Sequence, residues 1–133
     1  MATPNRFFHE LIVSEPDIDF NNLVNNLVYL QWVQLVSGLH WDHRTTVEQR
    51  ANCFWVIARQ EIDYLRELKL NEKVLIETFI ERVEKQKCYR TVLIYKKDSN
   101  ELAARAQIVW VLLDPATKRP MRISDDVIQP FIS

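Results

Sequence analysis

Glycine is almost missing from this chain: Gly38 is the single one among 133 residues. A glycine-rich phosphate loop needs several, so nucleotide folds that depend on one are excluded. Gly-x-Ser-x-Gly is absent too, and no serine–histidine–acid set can be assigned by motif. Tight hairpins usually draw on glycine for positive φ. Here Asn71, Asp98 and Asn100 are expected to serve, because Asn and Asp tolerate that region. Cysteine is scarce as well. Cys53 and Cys88 lie far apart in apolar contexts and read as buried free thiols, which fits the cytoplasm better than an oxidising compartment. No apolar run approaches the ~20 residues of a membrane span, so membrane insertion is not expected. The N-terminal stretch through Phe7 lacks the apolar core of a signal peptide. Neither sign of charge dominates. A net charge of −1 and a pI near 6.3 imply no broad basic surface, so nucleic acid is not an expected partner.

What is present is the composition of a globular chain, 47% hydrophobic and 26% charged, which argues against disorder. The length predicts a single domain over residues 1–133 with one core. Phe8 to Val13 reads as a first strand, ended by Pro16. From Asn25 to Ser37 the apolar residues fall at helical spacing (Leu27, Leu30, Val33 and Val36 among them), with Gly38 as the expected stop. That segment carries few charges, so a largely buried helix is expected. The period then changes. Cys53–Tyr64, Lys73–Glu84, Tyr89–Lys96 and Leu102–Leu113 read as four long strands, with turns at 97–100 and 114–118. Ser124-Asp125-Asp126 reads as the cap of a short terminal helix. Short connections favour an antiparallel sheet, and one buried helix must pack on its face. The fold class is α+β, with no repeat and no linker.

The densest polar motif lies between the first strand and the helix. Asp17-Ile18-Asp19 is followed by Asn21, Asn22, Asn25 and Asn26, and the helix begins there. A carboxylate beside the free N–H groups of a helix start is a plausible hydrolytic arrangement. This segment, continued by Leu27-Val28-Tyr29, resembles the signature of the hotdog-fold thioesterases of the 4-hydroxybenzoyl-CoA and acyl-ACP types. Glu61-Ile62-Asp63-Tyr64-Leu65 before Val74-Leu75-Ile76-Glu77-Thr78 is similar to that family's second and third strands. Val109 to Asp114, then Arg119-Pro120-Met121-Arg122-Ile123, looks like its last strand and tail. The resemblance covers nearly the whole chain. It implies a hotdog fold: a five-stranded antiparallel sheet wrapped around one long buried helix.

It also implies roles. Asp19 matches the acid that acts on the thioester, as nucleophile or as base for water. Asn26 matches the helix-start position whose backbone N–H binds the thioester oxygen, where the helix dipole adds partial positive charge. Asn21 matches the Asn of the acyl-ACP type; it reads either as a residue that orients Asp19 or holds water, or as a plain turn residue. Leu23 stands where that type carries a histidine, so a histidine base from that position is absent. Tyr29 and Trp32, with the partner's Cys53–Tyr64 strand, are placed to line an acyl pocket. Lys85, Lys87 and Arg90, and in the tail Arg119 and Arg122, lie where the family contacts coenzyme A phosphates. They read equally well as an ordinary solvated surface. Asp17, Asn22 and Asn25 read as turn and cap residues.

The expected activity is hydrolysis of an acyl-CoA or acyl-ACP thioester to acid and thiol, without a cofactor. His40, Asp42 and His43 are too few for a metal site. The resemblance implies a homodimer with the Cys53–Tyr64 strands paired, and tetramers are common in the family. Two other readings remain open: a hydratase on the same fold, which usually needs an Asp–His pair this loop lacks, and a non-catalytic acyl-thioester-binding domain.

Overall fold

The computed structural model describes residues 3–132. Its elements run β1 (Phe7–Ile12), α1 (Asn26–Arg44), α2 (Val47–Ala51), β2 (Phe54–Tyr64), β3 (Lys73–Glu84), β4 (Lys87–Lys96), β5 (Leu102–Leu113) and α3 (Asp125–Ile128). Single 3-10 turns precede α1, at Glu15–Asp17, and follow α3, at Gln129–Phe131. The five strands form one antiparallel sheet in the order β1-β3-β4-β5-β2. The sheet packs around α1, which is the hotdog arrangement.

Lys73–Glu84 is a strand as the sequence predicts, and its alternate residues Val74, Ile76, Thr78 and Ile80 are buried in the interior. β2 departs from simple alternation. Ile57 and Ile62 both pack on the core, although their odd spacing would put them on opposite faces of a regular strand. A bulge resolves this. Ile57 faces Trp110 and Arg59 faces Val109, so Ala58 is the extra residue and the inward set restarts at Gln60, Ile62 and Tyr64.

Asn25 caps α1, its Oδ1 accepting from the Leu27 N–H at 2.9 Å. One stripe of α1 is buried: Tyr29, Trp32, Val33, Val36, Ser37 and His40. These residues meet Val74, Ile76, Val92, Ile94, Ala104 and Ile108 of the sheet, or the cluster next to it. The opposite stripe is exposed in the single chain, including Leu27 and Leu35, so the helix is half buried rather than buried all round.

The helix does not stop at Gly38 but continues to Arg44. A mid-helix glycine costs only about 1 kcal/mol relative to Ala. Burial of Ser37 on one side and His40 on the other outweighs that. Asn71 and Asn100 take positive φ as expected, and so does Asn22; Asp98 does not, while Lys85 and Lys118 do. In those two turns the chain reversal sets the backbone and the side chain merely tolerates it.

A Cβ built on Gly38 meets nothing within 4 Å. Gly38→Ala is therefore expected to stabilise the fold by about 0.5–1 kcal/mol, the helix-propensity difference. Urea denaturation reads it directly; a lower midpoint would mean the open space is needed by the fold.

Candidate active site

The loop before α1 is built from its own acids and amides. Asp17 Oδ2 accepts from the Ser14 N–H at 2.9 Å and its hydroxyl at 3.0 Å, closing the 3-10 turn. Asp17 is thus a structural residue. Asp19 heads the next turn. Its Oδ1 accepts from the Asn21 N–H at 2.8 Å and more weakly from Leu23 N–H at 3.4 Å, and its carbonyl accepts from Asn22 N–H at 3.0 Å. Asn22 sits at φ 63° to complete the reversal. Among the described residues Asp19 Oδ2 has no hydrogen-bond partner. The carboxylate is therefore held by one oxygen with the other open.

Leu23 bridges to Lys69, and the Val24 N–H donates to Leu68 O at 2.9 Å, which brings the loop to the end of β2. The helix then starts. Asn25 takes the Leu27 N–H on its side chain and the Val28 N–H on its carbonyl. Asn26 N–H donates to nothing among the described residues, while its carbonyl accepts from Tyr64 OH at 3.4 Å.

Asp19 and Asn26 line one cleft of about 290 Å³, together with Val24, Tyr29, Tyr64 and Leu68. The Tyr29 ring lies edge-on to Tyr64 and to Trp32, at 5.2 and 5.5 Å between centroids. Burial, helped by Tyr64, pushes the Tyr29 hydroxyl up to about 12, so it remains a neutral phenol. Trp32 belongs to the core behind Tyr29 and does not reach the cleft. Asn21 is exposed at the tip of the turn, and its backbone, not its side chain, orients Asp19. A half-buried carboxylate and an unpaired helix-start N–H on one cleft of mixed polar and apolar walls, Arg66 and Glu67 among them, can bind a carbonyl oxygen and activate an attacking group.

The basic residues are elsewhere. Ile123 N–H donates to Lys85 O at 2.8 Å, so the tail carrying Arg119 and Arg122 lies against the β3–β4 turn carrying Lys85 and Lys87. All four are exposed. They sit where β5 ends and β2 begins, while the Asp19 cleft sits at Tyr64, where β2 ends. Those ends are ten residues apart along β2, roughly 33 Å at strand rise. Within one chain the two groups do not meet.

Arg90 is not part of that surface. It points inward and is buried, a correction to its grouping with Lys85 and Lys87. Its Nη1 donates to His40 Nδ1 at 2.9 Å and to Thr78 Oγ1 at 3.0 Å. Arginine only donates, so Nδ1 must be the acceptor. The His40 proton is then on Nε2, donated to Asn5 Oδ1 at 2.8 Å. The readable sign was position: Arg90 shares inward parity with Cys88 and Val92 on β4. Beside this network lies a second cavity of about 280 Å³, between the C-terminal half of α1 and the sheet, which sequence reading missed.

The chain matches the family model for the acyl-ACP thioesterase N-terminal domain over residues 4–131. It belongs to that family. A palmitoyl-acyl carrier protein thioesterase from Gossypium hirsutum is 27% identical over 85 residues, 62% of this chain and 21% of that protein. The chain thus spans about a fifth of the length of this curated relative. A Lactobacillus plantarum protein assigned as an oleoyl thioesterase superposes with a TM-score of 0.88 at 20% identity, over 96% of this chain and 51% of that one. A Staphylococcus aureus protein solved in complex with CoA gives 0.83 at 18% identity, covering 96% and 82%. At those identities the likeness is one of fold. It agrees with the hotdog architecture. No helix among the described residues is long and apolar enough to cross a membrane.

Burial and the neighbouring Arg90 charge push His40 down to about 3. Free histidine titrates near 6.5, so on acidification the unfolded chain takes up this proton first. The His40 contribution is complete above about pH 6.5 and is lost as pH falls toward 3, with a slope of at most ~1.4 kcal/mol per pH unit. His40→Gln is expected to flatten the pH dependence of unfolding free energy in that window. Equal slopes for the two proteins would remove His40 from acid sensitivity.

Proposed function

We propose that this chain is a cofactor-independent acyl thioesterase, hydrolysing an acyl-CoA or acyl-ACP thioester to a free acid and a thiol. The observation that carries the reading is the shared cleft of Asp19 and the unpaired Asn26 N–H. The thioester oxygen sits on the Asn26 N–H, where the helix start carries roughly half a positive charge. The free oxygen of Asp19 takes a proton from water as water adds to the carbonyl carbon, or attacks that carbon itself. Collapse breaks the C–S bond, and the thiolate leaves and is protonated; where Asp19 itself has attacked, water then hydrolyses the acyl anhydride to the free acid and the Asp19 carboxylate. Tyr29 and Tyr64 wall the cleft against solvent. The names of the curated relatives, which act on acyl carrier protein thioesters, support the same chemistry.

The working unit in this reading is a homodimer of single hotdog domains, able to associate further into tetramers. β2 is an edge strand of 11 residues with Phe54, Val56 and Tyr64 partly exposed, the kind of edge that pairs with another strand. Antiparallel pairing with the partner's β2 places the start of one strand beside the end of the other. The Arg119, Arg122, Lys85 and Lys87 group of one protomer then lies near the Asp19 cleft of the next, suited to the phosphates of the carrier. The free thiols Cys53 and Cys88 support a reducing compartment such as the cytoplasm.

Asp19→Asn keeps an acceptor for the turn and is expected to lower kcat at least ~10²-fold, with Asp17→Asn costing much less. Asn26→Pro is the matching test of the N–H. Proline fits the first helical position, and Asn25, at φ −64° and ψ 137°, already has the conformation that precedes proline. A loss of ~10²–10³ in kcat with intact helicity is expected. Thiol release from an acyl-CoA panel decides; full activity in either folded variant overturns its assignment.

Light scattering at micromolar concentration is expected to give twice the chain mass. Replacing both Arg119 and Arg122 by Ala is expected to raise KM for an acyl-CoA with kcat nearly unchanged, and less so at high salt. A monomer, or an equal kcat loss on a truncated thioester without the nucleotide, would contradict the cross-protomer arrangement.

A further inference from the structure

The second cavity combines two features that do not belong together in an ordinary apolar core. Its walls are aromatic and aliphatic, with Trp41 and Trp55 edge to face at 5.6 Å and Ile80 beneath them. At about 280 Å³ it is roughly twice the size of an engineered cavity that takes up benzene. Gly38 adds no side chain on the helix side. Yet two side chains of its wall, Arg90 and Trp110, carry hydrogen-bond donors with no protein acceptor among the described residues. Arg90 spends Nη1 on His40 and Thr78, and its Nε and Nη2 groups find no protein acceptor among the described residues. Trp110 Nε1 is buried with no partner. Arg90 faces Ile108 across the β4–β5 ladder and Trp110 lies two residues on, so the two donors are diagonal neighbours on the inward face.

Arg90 also has no anion. No ion pair involving it is found among the described residues, and its contacts are a neutral histidine and a hydroxyl. A buried guanidinium without a counter-charge is costly unless something supplies one. The thiol of Cys88 does not: burial pushes it up to about 11, so it is protonated at neutral pH. What complements the cavity is one acceptor-only negative group on an apolar tail.

We propose that this cavity binds the carboxylate of an amphipathic acid, one oxygen on Arg90, a small turn of the Trp110 indole bringing its enclosed Nε1 to the other, and its chain against Trp41 and Trp55. Two sources carry that chemistry. One is the free acid released by hydrolysis, bound as a product. The other is the far carboxylate of a dicarboxylic acyl thioester whose thioester end lies at the partner protomer's Asp19 cleft, since within one chain Asn26 and Gly38 are about 18 Å apart along α1. The choice between them rests on the thioesterase reading; the site itself does not.

The test uses the full chain with octanoate and octanol, which share a tail and differ in the head. Octanoate is expected to bind at least ~10-fold more tightly by calorimetry and to shift the Trp110 indole N–H resonance downfield, with octanol leaving it in place. Arg90→Met is expected to abolish the preference. Trp110→Phe, the milder change, identifies the resonance and is expected to weaken octanoate severalfold while sparing octanol. Equal affinity for the two ligands, no movement of the Trp110 resonance, or a preference that survives in a folded Arg90→Met protein overturns the proposal. Should Arg90→Met fail to fold, the wild-type preference and the Trp110→Phe arm decide alone. Inhibition of octanoyl-CoA hydrolysis by octanoate, relieved in Trp110→Phe, assigns the carboxylate to the product. A higher kcat/KM for suberoyl-CoA than for octanoyl-CoA, lost in Trp110→Phe, assigns it to the substrate. Octanoate binding without turnover of any thioester keeps the site and removes the thioesterase reading, so the two fail separately.

Discussion

Everything in this molecule hangs on the burial of one stripe of α1 against the inner face of the sheet. Val33 and Val36 are fully buried there, facing a sheet interior of Val74, Ile76, Val92 and Ile94 that is equally closed to solvent. Burying a side chain of this size contributes roughly 1.5–3 kcal/mol. The stripe thereby fixes the helix in register and rotation. Both ends of the helix become positioned objects as a result. At one end Asn26, its N–H unpaired among the described residues, lines a cleft; at the other His40 is hydrogen-bonded to Arg90.

The two ends are handled in opposite ways. At the N-terminal end, polar groups are left open at the surface. Asn25 satisfies two donors of the first turn but not that of Asn26, and Asp19 is tied by one oxygen only. At the C-terminal end, polar groups are sealed inside. The chain Asn5–His40–Arg90–Thr78 links the N-terminal segment, α1, β4 and β3 in one run of hydrogen bonds. The same run forces a single histidine tautomer, because Arg90 can only donate. Polar groups inside a low-dielectric core hold a unique arrangement when satisfied and are costly when not. The donors left over on Arg90 and Trp110 are therefore the anomaly of this fold, and both side chains line one cavity.

The edge strand β2 joins these ends. Its bulge at Ala58 keeps Trp55 and Ile57 on one side of it, and Gln60, Ile62 and Tyr64 on the other, facing inward. One end of β2 thus lines the Asp19 cleft through Tyr64, and the other lines the Arg90 cavity through Phe54 and Trp55. A strand that is exposed on its edge and shapes a cavity at each end makes the geometry of both depend on what pairs with it.

The order of the five strands with α1 and α3, the strand alternation on β3 and the acid-and-amide loop before α1 were legible in the sequence, because they rest on local period and local capping; the five-residue α2, too short to show a period, was not. Asn25 as cap and Asp17 as a turn acid follow from such short-range hydrogen bonds. So does the place of Asp19 and Asn26 on either side of the helix start. What local pattern could not carry was decided by packing. Gly38 is a stop signal by propensity, but the tertiary burial of Ser37 and His40 carries the helix past it. Ala58 breaks the alternation because the sheet interior must receive both Ile57 and Ile62. Arg90 looks like one more basic residue after β3, and only its inward parity on β4 and the helix above it make it a buried cation. By itself the sequence determined which groups stand ready at the start of α1, since neighbours in the chain place them. Only the tertiary structure decided which groups meet across it, because α1 and the sheet bring together residues as far apart as His40 and Arg90.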